Sequence, residues 1–168
     1  NLNNFIFSST AGVYGNTIKT PITEDHPKNP TNPYGESKLM VEKILSWYGK
    51  IYGLNFACLR YFNASGASLD GEMGENHSPE SHLIPNAINS ILNKTQFTLY
   101  GSDYPTPDGT CIRDYIHVID LVEVHILAIS KLKNEGGKLF YNVGTGHGYS
   151  NKEVIDMIHK HYPEAKDK

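Results

Sequence analysis

The 168-residue sequence is poor in arginine and cysteine and has no long apolar run. Only two of its fifteen basic residues are Arg and the net charge is −3, so we expect no nucleic-acid partner. No apolar run is long enough to cross a bilayer and no signal peptide is recognised, so we expect no membrane partner. Cys58 and Cys111 lack metal-ligand spacing, which predicts reduced thiols in a cytoplasmic protein.

The sequence also lacks an ordinary beginning and end. It starts at Asn1 without an initiator Met, enters a strand-like run almost at once, and stops in a charged tail. We therefore expect a piece of a longer protein. The length fits one domain or two partial ones, and 39% hydrophobic with 20% charged residues is the composition of a globular protein.

Hydrophobic patterns and turn residues predict alternating strands and helices. Residues 4–9 and 55–62 resemble buried strands, and a Pro-rich loop over 15–33 precedes a helix that is capped by Asn32 and ends before Gly53. Strand, helix and strand in this order predict a parallel sheet with helices on its faces, and so an α/β fold. The second half adds an irregular connection over 63–81, a helix at 83–93, strands at 97–100, 112–118 and 139–143, a helix capped by Asp120, and a last helix with a Ser150–Glu153 capping box.

A tyrosine and a lysine four residues apart, Tyr34 and Lys38, lie on one face of the first predicted helix. A tyrosine is a poor base because the free phenol has a pKa of about 10, but a nearby cation favours the phenolate. The same spacing occurs a second time, in Tyr162 and Lys166. There Pro163 directly follows Tyr162, at the end of the last predicted helix, and biases Tyr162 away from helix. The first pair is therefore the candidate for proton transfer.

Three hydroxyls end the first predicted strand: Ser8, Ser9 and Thr10. Ligands of open parallel sheets bind beyond the carboxyl ends of the strands, so Thr10 and Tyr34 are expected to converge there. The alternative interpretation is an ordinary strand end followed by a turn.

Several segments together resemble the extended short-chain dehydrogenase/reductase superfamily, and within it the UDP-glucose 4-epimerases. They occur in the epimerase order and cover nearly the whole chain. The segments are SSTAGVYG (8–15), NPYGESK (32–38), RYFN (60–63), GENHSPESHLIP (74–85), LYGSDYPTPDGTCIRDYIHV (99–118) and FYNVGTGHGYSN (140–151).

The resemblance implies NAD-dependent epimerisation at C4 of a UDP-hexose, UDP-galactose to UDP-glucose, and a homodimer for the intact protein. It implies that Tyr34 is the base, that Lys38 holds the nicotinamide ribose, and that Thr10, often Ser in the family, relays the proton. The implied cofactor-binding residues are Ser8, Ser9, Tyr34, Lys38, Tyr61 and Phe62. The implied UDP-sugar contacts are Thr10, Asn63, His82 (often Asn in the family), Leu83, Thr98, Tyr100 and Arg113. Arg113 has an alternative as a structural ion pair with Asp114 or Asp120.

The family's glycine-rich NAD fingerprint is missing from residues 1–168. We therefore expect 1–66 to form part of the NAD-binding Rossmann-like domain, 67–168 to form part of a UDP-sugar-binding region interwoven with the sheet, and the isolated chain to be inactive. Two alternative functions remain. One is another sugar-nucleotide enzyme of the superfamily, a dehydratase or a decarboxylase; a dehydratase would need an acid pair where Ala11 and Gly12 stand. The other is a UDP-binding remnant without turnover.

Three further patterns are expected to carry no site. Gly144, Gly146 and Gly148 resemble a phosphate loop, but the dinucleotide fingerprint needs a glycine where Tyr149 stands. Two histidines and two glutamates within 75–82 lack the spacing of a structural zinc site, so we expect solvated loop residues and no metal. The pair His159 and His161 points apart on its helix.

Overall fold

The computed structural model describes residues 2–163. The described residues contain six strands, arranged in two small sheets, and four helices interspersed among the strands. A short 3₁₀ turn at Ala11–Tyr14 follows the first strand. The strands are β1 (Asn4–Thr10), β2 (Asn55–Tyr61), β3 (Asn63–Ser65), β4 (Ile112–His117), β5 (Lys138–Val143) and β6 (Gly148–Ser150). The helices are α1 (Pro33–Ile51), α2 (Leu83–Asn93), α3 (Val118–Glu135) and α4 (Asn151–His161).

The first sheet has the order β1-β2-β5, and all of its strands are parallel. Alternate residues of each strand face opposite sides, so one face buries Phe56 and Cys58 against Leu45 of α1. The other face buries Ala57 and Leu59 against α3. The predicted parallel sheet with helices on both faces is confirmed, and β5 brings the second half of the chain into the same sheet.

Helix α1 begins and ends at the predicted residues. The Asn32 side chain accepts a hydrogen bond from Gly35 N at 2.8 Å, which satisfies one of the free N–H groups of the first turn. The helix ends at Ile51, and Gly53 follows with a φ of 69°, a conformation that glycine adopts without strain. The capping box of Ser150 and Glu153 at α4 is also confirmed.

The second sheet has the order β3-β4-β6, and α2 packs against α4 beside it. Strands β3 and β6 have three residues each, and neither is predicted from sequence, because such short strands carry too little periodicity. No helix within residues 2–163 is both long and apolar enough to cross a bilayer.

Two expectations about elements are wrong, and a third lies outside the description. Residues 97–100 alternate in exposure as a strand would, but they pair with no other strand among residues 2–163. Helix α3 is capped by His117, whose Nδ1 accepts from Ile119 N at 3.2 Å, while Asp120 lies in the first turn. In the second Tyr-Lys pair, Tyr162 caps the end of α4 and Lys166 lies outside the described residues.

Candidate functional site

The first turn of α1 rests on the 3₁₀ turn that follows β1. A Cβ atom added to Gly35 would lie 2.6 Å from the carbonyl oxygen of Gly12, so the two backbones are in direct contact there. Only glycine permits this close approach. The contact brings the neighbouring Tyr34 to the carboxyl end of β1, where ligands of open parallel sheets bind.

Lys38 lies between the carboxyl end of β1 and the ring of Tyr34. Its Nζ donates a hydrogen bond to the carbonyl oxygen of Ser8 at 3.0 Å and lies 5.5 Å from the centroid of the Tyr34 ring. Tyr34 is 56% exposed, so the residue is accessible from solvent.

The three hydroxyls at the end of β1 have different surroundings. The Oγ of Ser8 lies 3.5 Å from Nε2 of His125, on the face that packs against α3. Ser9 is fully buried on the opposite face and donates to Glu42 at 2.5 Å, so its side chain is not available to a cofactor. The Oγ1 of Thr10 accepts from Gly12 N at 3.1 Å, and the hydroxyl donates to no partner among residues 2–163.

Lys38 and Glu42 are one helical turn apart, and both attach α1 to the sheet. Glu42 binds Arg60 through both carboxylate oxygens, at 2.9 and 2.6 Å, with the two side chains 3% and 2% exposed. Burial alone would lower the pKa of Arg60, but hydrogen bonds to Glu42 and Tyr14 outweigh it and raise the pKa. The Arg60 guanidinium therefore stays charged. The ion pair was missed from sequence because its partners are 18 residues apart.

Two aromatic residues at the carboxyl end of β2, Tyr61 and Phe62, are half-buried. Tyr61 packs against the α3-side core, with its ring centroid 6.4 Å from that of His125. Phe62 lies against Gly144, where an added Cβ would meet its ring at 2.9 Å. His125, on α3, is thus close to both Ser8 and Tyr61; a single histidine in a helical pattern gave no signal for this.

Arg113 belongs to β4, and Asn63 belongs to the neighbouring strand β3. Arg113 is exposed and its Nη1 donates to the carbonyl of Ile112 at 3.0 Å. It has no carboxylate within 4.0 Å among residues 2–163, so the structural ion pair with Asp114 or Asp120 is absent from that range. The Nδ2 of Asn63 donates to the carbonyl of Asp114 at 2.9 Å.

The Asp114 carboxylate binds the glycine loop that resembles a phosphate loop. It accepts from Thr145 N at 2.9 Å, from Thr145 Oγ1 at 2.9 Å and from Gly146 N at 2.8 Å. These N–H groups are therefore occupied by a side chain of the protein rather than being free for an anion.

The remaining predicted contacts lie on exposed segments. Leu83 is the first residue of α2, and His82 precedes it with its Nδ1 hydrogen-bonded to Glu75. Thr98 is exposed and Tyr100 is 85% exposed. Lys38 thus lies against both the Ser8 carbonyl and the Tyr34 ring, and Thr10 lies beside Gly12, which contacts the first turn of α1. Within residues 2–163 no hydrogen bond joins Thr98 or Tyr100 to these residues.

A cavity of about 540 Å³ lies elsewhere, on the α1 side of the sheet. It is lined by Lys28, Glu42, Arg60 and Phe140 among others, and by none of the predicted site residues. Glu42 and Arg60 already bind each other. Because the paired charges are satisfied, the open surface around Tyr34 is the better candidate for chemistry than this cavity.

A parallel α/β sheet with a tyrosine-lysine pair at its carboxyl edge is a Rossmann-like arrangement, and comparison with known proteins agrees. The family described as "NAD dependent epimerase/dehydratase family" matches residues 1–144. The UDP-glucose 4-epimerase of Lactobacillus helveticus is 49% identical over 161 residues, which cover 95% of this chain and 49% of that protein.

Two solved relatives share the fold. The UDP-glucose 4-epimerase of Brucella ovis in complex with NAD is 51% identical with a TM-score of 0.90, over 94% of this chain and 49% of that one. The enzyme of Bifidobacterium longum in complex with NAD⁺ and UDP is 42% identical with a TM-score of 0.87, over 94% of this chain and 48% of that one. The chain therefore belongs to the NAD dependent epimerase/dehydratase family, and the resemblance found in the sequence is confirmed. The chain spans about half the length of the curated relatives it matches.

Proposed function

We propose that this chain carries the proton-transfer and UDP-sugar-binding residues of a UDP-glucose 4-epimerase, an isomerase that interconverts UDP-galactose and UDP-glucose in galactose metabolism. The observation that carries the proposal is the position of Lys38, whose Nζ is fixed by the Ser8 carbonyl at 3.0 Å beside the Tyr34 ring. The relatives named above, at 42–51% identity, support the same reaction.

Each side chain at the carboxyl end of β1 has a proposed task. Tyr34 takes the proton of the sugar 4-hydroxyl, because the residue is exposed and a cation lies beside its ring. Thr10 hydrogen-bonds the sugar hydroxyl and helps to relay its proton to Tyr34: the second lone pair of Oγ1 accepts the proton while the hydroxyl proton of Thr10 passes on, and Gly12 N holds the oxygen in place. The hydrogen bond from Lys38 to the Ser8 carbonyl of β1 keeps its ammonium group beside Tyr34.

The residues present fit the nicotinamide half of NAD. Lys38 retains ammonium protons for the hydroxyls of a ribose, and Ser8, Tyr61 and Phe62 are half-buried residues at the same strand ends. The bound cofactor supplies a hydride acceptor for C4 of the sugar. Ser9 is proposed to contribute through its backbone alone, because its side chain is bound to Glu42.

The UDP part of the substrate is assigned mainly to residues 67–168, together with Asn63 just before them. Arg113 is exposed, and its planar guanidinium suits the oxygens of a diphosphate. The side chain of Asn63 donates to the carbonyl of Asp114, the residue after Arg113. Tyr100 offers an exposed ring for stacking on uracil. His82, Leu83 and Thr98 complete the proposed contacts. On this proposal residues 67–168 form the UDP-sugar region and 1–66 part of the NAD domain.

We further propose that the intact protein is a cytoplasmic homodimer. One side of α1 exposes an apolar stripe at four-residue and three-residue steps: Met40, Ile44, Trp47, Tyr48 and Ile51. Exposed apolar stripes of this kind mark protein interfaces. The two cysteines of the chain are free thiols, which agrees with a reducing compartment.

A chimera tests the function directly. Residues 1–168 replace the matching segment of the Lactobacillus helveticus UDP-glucose 4-epimerase, to which they are 49% identical over 161 residues. We expect the purified chimera to interconvert UDP-galactose and UDP-glucose, with the unaltered relative as the control. A folded chimera that binds NAD and UDP but produces no UDP-glucose would refute the proposed function and favour a non-catalytic UDP-binding role.

The isolated 168-residue chain is expected to give no turnover in the same assay. It has no glycine-rich dinucleotide fingerprint, so it cannot hold the adenosine-diphosphate half of NAD in the usual way. Sustained conversion of UDP-galactose by the isolated chain, above that of a Tyr34→Phe preparation, would contradict this expectation.

A further inference from the structure

Four side chains of the segment before α2 converge although their spacing matches no structural zinc site. Glu75, His77, Glu80 and His82 each place one potential ligand atom within 4.8 Å of those of the other three. They come from eight consecutive residues, in a stretch of the chain without helix or strand. None belongs to the Tyr34 site, and only His82 has another proposed role.

Three of the separations between these atoms are close to those between ligands of one metal ion. Nδ1 of His77 lies 3.0 Å from Oε1 of Glu75 and 3.7 Å from Oε1 of Glu80. Nδ1 of His82 lies 3.5 Å from the same Glu80 oxygen and also contacts Glu75. Zinc bonds to His nitrogen and carboxylate oxygen are both about 2.1 Å long, so neighbouring ligand atoms of a tetrahedral site are about 3.4 Å apart.

The backbone already holds one of the carboxylates in position. Oε1 of Glu80 accepts hydrogen bonds from the backbone N–H groups of Ser81 at 2.7 Å and His82 at 2.8 Å. Such bonds to a ligating carboxylate orient it and are typical of metal sites.

Charge and ligand chemistry both select the kind of ion. Ligands bind a metal in their deprotonated forms, and two carboxylates with two neutral imidazoles then carry a charge of −2, which a divalent cation balances. Imidazole nitrogen favours zinc and its neighbours in the transition series, whereas magnesium and calcium prefer oxygen alone. We propose that Glu75, His77, Glu80 and His82 form a binding site for Zn²⁺ or a similar divalent transition-metal ion.

The site would join Glu75 to the residue that immediately precedes α2. Without a metal, both imidazoles direct Nδ1 at the same pair of carboxylate oxygens in an exposed loop, where hydrogen bonds compete with water. With a metal, the same four atoms are held in one polyhedron and the segment over 75–82 is fixed at the start of the helix. The proposal does not rest on the epimerase function, although the two proposals share His82.

Cobalt is a suitable probe, because four-coordinate Co²⁺ absorbs visible light and takes the place of Zn²⁺. The 168-residue chain and the chimera are titrated with Co²⁺ alone, and the bound ion is then displaced with Zn²⁺. We expect one equivalent to bind. His77→Ala and Glu75→Gln should each weaken binding by about a hundredfold or more, since loss of even an outer-shell partner costs about 10–100-fold.

His161→Ala is the matched control, because His161 is an exposed histidine on α4 outside the cluster, and it should leave the affinity unchanged. Both test substitutions lie on exposed or half-exposed side chains of a loop, so they should not unfold the protein, and circular dichroism checks this. Absence of stoichiometric binding to both the chain and the chimera would overturn the proposal. So would binding that survives His77→Ala and Glu75→Gln.

Discussion

At the scale of single residues, burial decides which side chains are reactive. Cys58 lies in the middle of β2 and is fully buried, and burial, together with the charge of Glu42, raises the pKa of its thiol to about 12. Cys111 precedes β4 and is half-buried. Because the thiolate is the nucleophile, the two cysteines should differ in reactivity.

The difference can be measured by alkylation. In the folded chimera at pH 8, we expect iodoacetamide to modify Cys111 and to leave Cys58 unmodified, as read from the two peptides by mass spectrometry. In denaturant both should react, which serves as the control. Equal rates for the two cysteines in the folded protein would contradict the packing of Cys58 between the sheet and α1.

The hydroxyls of β1 show what a sequence reveals about single residues. Three adjacent hydroxyls predict a polar strand end, and the strand period of two already implies that Ser9 faces away from Ser8 and Thr10. What the sequence does not contain is the partner of Ser9. Glu42 is 33 residues away, and only the packing of α1 onto the sheet brings the two together.

At the scale of elements, α1 is oriented by two polar attachments one turn apart. Lys38 bonds to the end of β1, and Glu42 forms the buried ion pair with Arg60 of β2. Removing one partner of a buried pair leaves an uncompensated charge, which costs about 3–5 kcal/mol. The rotation of α1, and so the position of Tyr34, depends on this pair.

Glu42→Gln keeps the shape of the side chain and removes its charge. We expect it to lower the free energy of unfolding of the chimera by about 3–5 kcal/mol in urea. Glu123→Gln is the matched control, because Glu123 is exposed on α3, and it should change stability by no more than about 0.5 kcal/mol. A cost of Glu42→Gln as small as that of the control would mean that the ion pair does not hold α1.

Local signals predicted most elements and failed where the structure depends on distant partners. Asn32 marks the start of α1, and the Ser150–Glu153 box marks the start of α4. FTLY at 97–100 alternates as a strand does, yet a strand also needs a neighbour, and none of the described residues pairs with it. At α3 the sequence favours Asp120 as the cap, but the chain enters the helix earlier and His117 takes the position.

At the scale of the whole molecule, the parallel sheet places the end of β1 and the start of α1 at one edge. The family and the parallel fold were predictable because ordered motifs extend over nearly the whole chain. The convergence of Glu75, His77, Glu80 and His82 was not, since it depends on the path of an irregular loop rather than on a repeating spacing.

The chimera also tests the central claim, that Tyr34 is the base of a C4 epimerisation, through Tyr34→Phe compared with Tyr52→Phe. Tyr52 is an exposed tyrosine that follows the last residue of the same helix and lies outside the proposed sites and the apolar stripe. Tyr34→Phe should reduce kcat for UDP-galactose by about 10²–10⁴-fold, the usual contribution of a general base, and leave the Kd for UDP-galactose within a few-fold; Tyr52→Phe should change neither. Turnover of the Tyr34→Phe protein within a few-fold of the unsubstituted chimera would contradict the account.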